Sequence, residues 1–400
     1  MLMPKMTLKI NVENHYSSRI YTSGSRIAGV VVVCPDTDIS FHCVQIALVG
    51  TARTRVDTLP LPKIINDVFL ILDMPVTETS YPPGQTFSAG KTSQIPFEFI
   101  VPHKLHKGPC RTMTDERSHD QHMRLPPTMG SWEKDDMSPT MAQIEYKIIV
   151  RVLQKRSKAP KDTIHVSQSI KVLPAFPEDP PLSVNNQDAL YTLSRTRTIR
   201  RSLLSFQKDR VIIQSYQPEA VVVGFGGHQL PSSQSALTLD LTFDSSSTVS
   251  FPPEVTLDNP KLEAQTWYAG TAMKAIPDLG GLRDVAGLRP GLRYSTNVKL
   301  PKAETGVVLW HKDSAEQGQK STTWRSMTMM PIRLPTTHKM FLPTFYNRFI
   351  ARSYILHVDV CLNGSKTTLS IPLQIASQSL YAQSPEPSIG ELPPFEASLI

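Results

Sequence analysis

One stretch of the sequence decides the fold: Ile144-Glu145-Tyr146-Lys147-Ile148-Ile149-Val150-Arg151-Val152-Leu153. Apolar side chains occupy every second position from Ile144 to Val152, and three of the five residues that oppose this face are charged. A strand that is buried on one face and solvated on the other produces this alternation. The chain is therefore predicted to be mostly β-sheet, with its function in surfaces and loops rather than in a central catalytic cleft.

Six further segments of the first half are strand-like, and Gly, Pro, Asn or Ser residues separate most of them. They are Leu8–Val12, Ile27–Val33, Val44–Val49, Val68–Leu72, Ile95–Val101 and Ile164–Val172. Strands at such short spacing, without helical periodicity between them, predict antiparallel sheets packed as a sandwich. The long polar stretch from Pro102 to Ala142 shows no clear pattern of regular secondary structure, and we expect a functional or mobile loop there.

The second half repeats this pattern after a segment rich in Pro and Asn, from Ala175 to Leu190, which predicts a linker. Asn363-Gly364 is a strong hairpin signal. Pro372 cannot donate a ladder hydrogen bond, so its strand is expected at an edge or at a kink. The predicted strands are Val211–Ile213, Ala220–Val223, Leu237–Phe243, Val255–Leu257, Ala264–Tyr268, Thr296–Leu300, Ser326–Leu334, Tyr354–Leu362 and Thr367–Ile375.

The predicted fold class is all-β, with two tandem immunoglobulin-like β-sandwiches and a disordered C-terminal tail. The first sandwich spans residues 1–175, a Pro-rich linker spans 176–198, and the second sandwich spans 199–377. The tail, 378–400, is rich in Pro, Ser and Glu. A chain of 400 residues is too long for one ordinary sandwich, which agrees with two domains.

Composition indicates a globular protein, because 40% of residues are hydrophobic and 19% are charged. The four cysteines, Cys34, Cys43, Cys110 and Cys361, lack the spacing of a disulfide framework. No apolar run approaches the roughly 18 residues that span a bilayer, and no secretory signal is visible. These features predict a soluble protein of a reducing compartment.

Positive charge is unevenly distributed along the chain, whose net charge is +7. The last 25 residues contain three Glu and no Lys or Arg, so the remainder carries +10. Such a body attracts anionic partners, for which phosphorylated peptides, acidic lipid headgroups and nucleic acid are the alternatives. A solvated basic surface without a partner is the simpler interpretation.

Several motifs resemble those of arrestin-like proteins. The stretch Tyr21-Thr22-Ser23-Gly24-Ser25-Arg26-Ile27-Ala28-Gly29 resembles the Y-x-x-G-(D/S)-x-I-x-G motif of arrestin amino-terminal domains. Leu125-Pro126-Pro127-Thr128-Met129-Gly130, followed by Ile144-Glu145-Tyr146, is similar to a second signature of those domains. Trp132-Glu133-Lys134-Asp135-Asp136-Met137 looks like an insertion that is typical of filamentous-fungal members.

The second half is similar to arrestin carboxy-terminal domains, and the resemblance covers roughly residues 5–377. It is carried by Leu241-Thr242-Phe243-Asp244, Pro252-Pro253, Trp267-Tyr268, Tyr294-Ser295-Thr296 and Phe341-Leu342-Pro343-Thr344-Phe345. The resemblance implies the arrestin fold and a non-enzymatic α-arrestin adaptor. Such an adaptor binds transporters or receptors and recruits a HECT-type ubiquitin ligase for endocytosis. The implied location is the cytoplasm, with recruitment to the plasma membrane or endosomes.

Ligase recruitment in this family uses a PPxY or LPxY peptide that docks on WW domains. None of the five Pro-Pro pairs in this chain has Tyr two positions after it. The nearest match is Leu392-Pro393-Pro394-Phe395, which carries Phe where the motif has Tyr. Phe keeps the ring but loses a hydroxyl hydrogen bond, at a cost of about 0.5–1.5 kcal/mol. A weakened ligase motif and a chance tail sequence are both open.

Basic residues of the amino-terminal half form the predicted cargo or lipid surface, since Arg and Lys make charge-assisted hydrogen bonds to phosphate. Each basic residue near an anionic membrane leaflet also adds about 1 kcal/mol of attraction. Solvated hairpin charges are the alternative. The residues of this surface are Lys5, Lys9, Lys147, Arg151, Lys155, Arg156, Lys158 and Lys161.

A run of arginines, from Arg195 to Arg201, precedes Ser202 and resembles a basophilic kinase substrate. Thr198 and Ser202 are therefore candidate phosphorylation sites near the domain junction, where a phosphate would add negative charge. An arginine-rich strand without regulation is the alternative interpretation.

Other chemistry has little support in the sequence. Two His-x-x-His pairs surround Cys110, but the spacing of His103, His106, His119 and His122 matches no standard zinc finger. Gly224-Phe225-Gly226-Gly227 lacks the ending of a phosphate loop and is expected to be a turn. No nucleophile elbow or acid pair is present, so we predict no catalytic residues, no metal and no cofactor.

The leading hypothesis is an adaptor that couples cargo tails to a ubiquitin ligase, without a small-molecule substrate. An arrestin-fold scaffold or sorting protein that acts without a ligase is the second hypothesis. A nucleic-acid binder ranks last, because no strand face interleaves aromatic and basic residues.

Overall fold

The structure of the chain is a computed structural model. It describes residues 6–76, 80–105, 116–155, 164–185, 188–200, 208–245, 251–278, 292–302, 308–313 and 322–378. Regular structure in these residues is almost entirely β-strand, which confirms the predicted fold class. No helix in this part of the chain has the length and apolar character needed to cross a membrane.

The first half forms two sheets and one described helix, α1, at Glu116–Met123. One sheet has the strand order β1-β3-β7, and the larger one has the order β2-β9-β8-β4-β5, with β6 paired to β4. Every strand predicted in this half is present. The strands are β1 Met6–Val12, β2 Ile20–Tyr21, β3 Arg26–Pro35, β4 Ile39–Val56, β5 Lys63–Met74, β6 Thr86–Phe87, β7 Ser93–Ile100, β8 Ala142–Gln154 and β9 Ile164–Val172.

The decisive stretch lies in β8, between β4 and β9 in the larger sheet. The alternation predicted from the sequence is confirmed, because Ile144, Tyr146, Ile148, Val150 and Val152 are all buried. They form a core with inward residues of the smaller sheet, including Val31, Val33, Ile95, Phe97 and Phe99. Burying each of these large side chains stabilises the sandwich by about 1.5–3 kcal/mol.

The second half forms a further sandwich. One sheet has the order β10-β11-β13-β17-β16, and the other has the order β15-β14-β19-β18, with β20 paired to β19. Strands β12 and β21 pair in parallel. The strands are β10 Ser194–Arg200, β11 Lys208–Ser215, β12 Val221–Val223, β13 Ala236–Ser245, β14 Val255–Tyr268, β15 Leu292–Lys299, β16 His311–Lys312, β17 Thr322–Pro331, β18 Phe345–Tyr346, β19 Ile350–Leu362, β20 Ser365–Leu373 and β21 Ile375–Ser377.

The prediction of two strands at Val255–Leu257 and Ala264–Tyr268 is wrong, because both belong to β14. The pairing register with β19 shifts between Asp258 and Lys261, and this bulge lets the strand continue past Asn259-Pro260. The hairpin predicted at Asn363-Gly364 is confirmed. Both residues have positive φ, 44° and 82°, as a tight turn between twisted strands requires.

The linker predicted at residues 176–198 is wrong at its C-terminal end, because β10 begins at Ser194 and pairs with β11. Two of its described residues are buried rather than exposed to solvent. Phe176 and Tyr191 are each 2% exposed, and the Phe176 amide donates to the Ser377 carbonyl at 3.2 Å. The linker is therefore part of the domain junction.

The Pro102–Ala142 stretch contains more structure than its polarity predicts. Helix α1 lies within it, and Leu125 and Met129 are fully buried. The Tyr146 hydroxyl donates to the Pro126 carbonyl at 2.6 Å, and the Thr128 amide donates to a carbonyl of β9 at 2.8 Å. The second half of this stretch is thus held against the larger sheet by hydrogen bonds.

The two sandwiches share their cores at the junction. A segment of the second half packs into the core of the first sandwich through Met340, Leu342, Phe345, Phe349 and Ile350. In the reverse direction, Met137 of the first half packs into the core of the second sandwich. Apolar residues of each half therefore extend the core of the other half across the interface.

Candidate functional site

The predicted basic residues lie on two different sheets. Lys147 and Arg151 project from the outer face of β8, and Lys155 is exposed just after that strand. Lys9 is exposed on β1, in the smaller sheet, whose inner face packs against the larger one. The structure therefore does not bring Lys9 together with the others. Lys5, Arg156, Lys158 and Lys161 lie outside the described residues.

The outer face of the larger sheet carries two further arginines, Arg53 and Arg55, on β4. Their strand pairs with β8, so that Arg53 lies opposite Gln143 and Val49 lies opposite Lys147. Sequence reasoning missed both arginines because their part of β4 lies beyond the predicted segment Val44–Val49. Together with Lys147 and Arg151 they form what we term the basic face.

Charge on the basic face is only partly neutralised. The Lys147 ammonium contacts the Glu145 carboxylate at 2.6 Å, and Arg55 contacts Asp57 at 2.9 Å. Arg53 and Arg151 have no ion pair with any residue that the structure describes. Two exposed guanidinium groups thus remain available to an anionic group of a partner.

An apolar edge borders the basic face. Strand β5 ends the larger sheet, and its side chains Ile64, Val68 and Ile71 are 48%, 50% and 58% exposed. They lie beside the arginines, since Ile64 pairs with Arg55. A surface with guanidinium groups next to an apolar edge strand suits an extended acidic peptide, which binds through both charge and side-chain burial.

Arg352 of β19 is the most deeply buried charged residue at the junction, with 0% exposure. Its guanidinium donates to the Asp136 carbonyl and to the Ser138 hydroxyl, each at 2.9 Å. The ring centroid of Tyr354 lies 6.0 Å from the guanidinium carbon. Arg352 therefore ties the loop that precedes β8 to the second sandwich.

The same loop makes two more contacts across the junction. Asp135 pairs with Lys339, whose hydrogen bond lowers the pKa of the Asp135 carboxyl. The Lys134 ammonium donates to the Thr336 carbonyl at 2.9 Å. The stretch Trp132–Met137 thus joins the two sandwiches, a role that its sequence did not predict.

A second ion pair crosses the junction between Arg348 and Asp67 of β5, at 3.5 Å. Burial raises the pKa of the Asp67 carboxyl, and the nearby Arg348 charge opposes that shift. The Thr54 hydroxyl donates to the Ala269 carbonyl at 2.9 Å close by. The half of the β4–β5 hairpin nearer its turn is therefore anchored on the second sandwich.

A half-buried polar pair lies within the second sandwich, on neighbouring strands. Nε2 of His357 lies 2.9 Å from the Glu263 carboxylate, and its Nδ1 lies 3.0 Å from the Ser370 hydroxyl. The hydrogen bond from His357 lowers the pKa of Glu263 to about 2, against the opposing effect of burial. These residues lie within paired strands and not in a cleft, so they support a structural role.

The remaining candidates from the sequence are the two phosphorylation sites, the ligase motif and the glycine-rich turn, of which only some lie in the described residues. Thr198 is exposed on β10, an edge strand, whereas Ser202 lies outside the described residues. The residues of the ligase motif, Leu392, Pro393, Pro394 and Phe395, also lie outside them. The turn predicted at Gly224–Gly227 is confirmed, since the Gly227 amide donates to the Gly224 carbonyl at 2.9 Å.

The zinc hypothesis gains no support from the described residues. His106 and Cys110 lie outside them, and His122 is buried with 2% exposure. Across the ranges that the structure covers, no group of three or more His, Cys, Asp or Glu side chains could hold a metal ion. The basic face with its apolar edge is the arrangement best suited to recognising a partner.

No protein-family model and no curated protein matches this chain.

Proposed function

We propose that this chain is a non-catalytic, arrestin-like adaptor that binds the cytoplasmic tail of a transporter or receptor. It would work in the cytoplasm and at the plasma membrane or endosomes, where it couples its cargo to a HECT-type ubiquitin ligase for ubiquitin-dependent endocytosis. The observation that carries the proposal is the basic face, whose arginines Arg53 and Arg55 adjoin the apolar edge of β5. Two sandwiches with continuous cores support it, since that architecture is the one that the arrestin resemblance implies.

Recognition of an acidic or phosphorylated tail would follow from this surface. Arg151 and Lys147 would donate charge-assisted hydrogen bonds to carboxylate or phosphate oxygens, which are about twice as strong as neutral ones. The exposed apolar side chains of β5 would cover apolar residues of the same peptide. Affinity would therefore fall with salt, because the surface charges are screened within about 10 Å at 0.1 M ionic strength.

Binding of a phosphorylated cargo-tail peptide to the full chain tests this surface. The double variant Lys147→Gln/Arg151→Gln is expected to bind about tenfold more weakly, equivalent to about 1.4 kcal/mol. Lys9→Gln is the matched control, because it removes one exposed charge from the other sheet. Equal affinity of the double variant and the wild type would show that the basic face is not the cargo surface.

Ligase coupling is tested by WW-domain binding of the full chain and its Phe395→Tyr variant. The wild type is expected to bind within about tenfold of the variant, since one net hydrogen bond is worth about 0.5–1.5 kcal/mol. Phe395→Ala should abolish binding. If only the Tyr variant binds, direct coupling to the ligase is excluded and the second candidate, a scaffold or sorting protein without a ligase, is favoured. That candidate rests on the absence of Tyr after every Pro-Pro pair.

A further inference from the structure

The tip of the β4–β5 hairpin exposes two leucines. Leu59 is 99% exposed and Leu61 is 75% exposed, at the point where the hairpin turns. The Thr58 hydroxyl donates to the Leu61 carbonyl at 2.8 Å, which closes the turn on itself. Isolated apolar residues on a surface are common, but two large ones at the end of one turn form a small exposed apolar patch.

The last residues of β4, next to this turn, are held by hydrogen bonds to neighbouring segments, whereas the two leucines are exposed. The Thr54 hydroxyl bonds the Ala269 carbonyl of the second sandwich at 2.9 Å. On the other side, the Arg55 amide donates to the Met141 carbonyl at 2.8 Å. The two leucines are therefore presented to solvent from a fixed support, with little ordering required when they bind.

A polar pocket of about 320 Å³ lies beside the base of the tip. Its one guanidinium group without a partner among the described residues is that of Arg53, whereas Arg55 is paired with Asp57 at 2.9 Å. Guanidinium, hydroxyl and amide groups are the donors that bind phosphate oxygens. The pocket is lined by Arg53, Arg55, Asp57, Thr140, Met141 and Gln143.

We infer that this hairpin is a membrane-binding element, in which Leu59 and Leu61 enter an anionic bilayer and Arg53 binds a lipid phosphate. The order of groups along the hairpin matches that of a leaflet. The apolar tip corresponds to the acyl chains, and the guanidinium at its base corresponds to the headgroups. Two leucines at the end of a turn can insert into a fluid bilayer without a preformed site, whereas docking on a protein would require a cavity of matching shape. The inference does not rest on the adaptor proposal, because a scaffold without a ligase could use the same hairpin.

Co-sedimentation of the full chain with phosphatidylcholine vesicles containing about 30% phosphatidylserine tests the inference, since anionic lipid attracts basic residues. The wild type is expected to bind these vesicles. Leu59→Ser/Leu61→Ser should lower the partition constant at least about tenfold, because two large apolar side chains no longer leave water. The matched control is Met327→Ser/Met329→Ser on β17, which alters side chains that are 65% and 53% exposed and should change binding less than about twofold.

The contribution of charge is separated by a third variant and by salt. Arg53→Gln should weaken vesicle binding about fivefold, which corresponds to about 1 kcal/mol per basic residue at an anionic leaflet. It should also reduce the dependence of binding on salt. If Arg53→Gln binds as tightly as the wild type at low salt, the headgroup role of the pocket is excluded.

Insertion of the turn into the bilayer is measured by the fluorescence of a tryptophan introduced at Leu59. Fluorescence of Leu59→Trp should be quenched by brominated acyl chains more strongly than that of the wild type, whereas Met327→Trp should match the wild type. The inference is overturned if the wild type does not bind vesicles, or if the leucine variant binds them equally well. Loss of cargo-peptide binding by the leucine variant, with vesicle binding unchanged, would instead identify the tip as a protein-docking element. Failure of the cargo-peptide experiment alone leaves the vesicle result standing.

Discussion

Replacing Arg352 by Met should weaken the attachment of the two sandwiches to each other and lower the free energy of unfolding by about 2–3 kcal/mol. The guanidinium is fully buried and donates to the Asp136 carbonyl and the Ser138 hydroxyl. Each hydrogen bond from a charged donor contributes about 1.5–3 kcal/mol, so the pair contributes about 3–6 kcal/mol. Met keeps most of the stem volume but leaves both acceptors without this donor.

One opposing effect reduces this figure. Nε of Arg352 has no hydrogen-bond partner in the described residues, so the wild type bears a desolvation cost that Met removes. A buried polar group without a partner costs about 1–3 kcal/mol. Subtracting the second effect from the first gives an expected loss of about 2–3 kcal/mol, and Ser138→Ala, which removes one acceptor of the charged guanidinium, should cost about 1.5–3 kcal/mol.

The assay is urea unfolding followed by tryptophan fluorescence, together with small-angle scattering of the native state. The variant should unfold at lower urea, in two steps if the sandwiches separate first. Arg325→Met is the matched control, because Arg325 pairs with Asp313 at 2.9 Å but is 70% exposed, and should cost less than about 1 kcal/mol. An Arg352→Met protein with the wild-type midpoint and radius of gyration would refute the reasoning.

Three further predictions concern single residues. The hydrogen bond from His357 lowers the pKa of Glu263 from 4.5 to about 2. The ionised carboxylate therefore stabilises the fold above pH 4.5 by up to about 3 kcal/mol, and this stabilisation is lost as the pH falls towards 2. Glu263→Gln should remove that part of the pH dependence of the urea midpoint between pH 6 and 3; an unchanged slope would contradict it. Gly29→Ala places a methyl group 2.2 Å from a backbone oxygen of β1 and should cost about 3 kcal/mol, so a wild-type melting temperature would be incompatible with that packing. Tyr146→Phe leaves the Pro126 carbonyl without its 2.6 Å partner and should cost about 1–3 kcal/mol in thermal unfolding, where no change would show that the hydroxyl contributes nothing.

The strands could be predicted because alternation is a local property. Each inward residue of β8 is followed by an outward one, whatever the rest of the chain does. Two-residue strands such as β2 and β18 escaped prediction because they are defined by pairing with a neighbour and not by their own pattern. The length of β14 escaped it for a related reason, since its bulge looks like a strand end in the sequence.

The basic face was predicted in part, through Lys147 and Arg151, because both lie on the polar side of a clearly alternating strand. Whether two charges share a surface depends on sheet order, which separates Lys9 from them. The role of Arg352 had no local signal at all. Its partner Ser138 is 214 positions away along the chain, and only the meeting of the two sandwiches buries it.

The shared core has a consequence for the order in which the chain is made. Strands β1 to β9 are complete at Val172, but their core also contains Met340 and Ile350. At about 5–20 residues per second, a ribosome needs about 10–30 s to synthesise the stretch between them. During that interval the first sandwich presents an unfilled apolar surface, which makes the nascent chain a client for chaperones until the last third of the protein emerges.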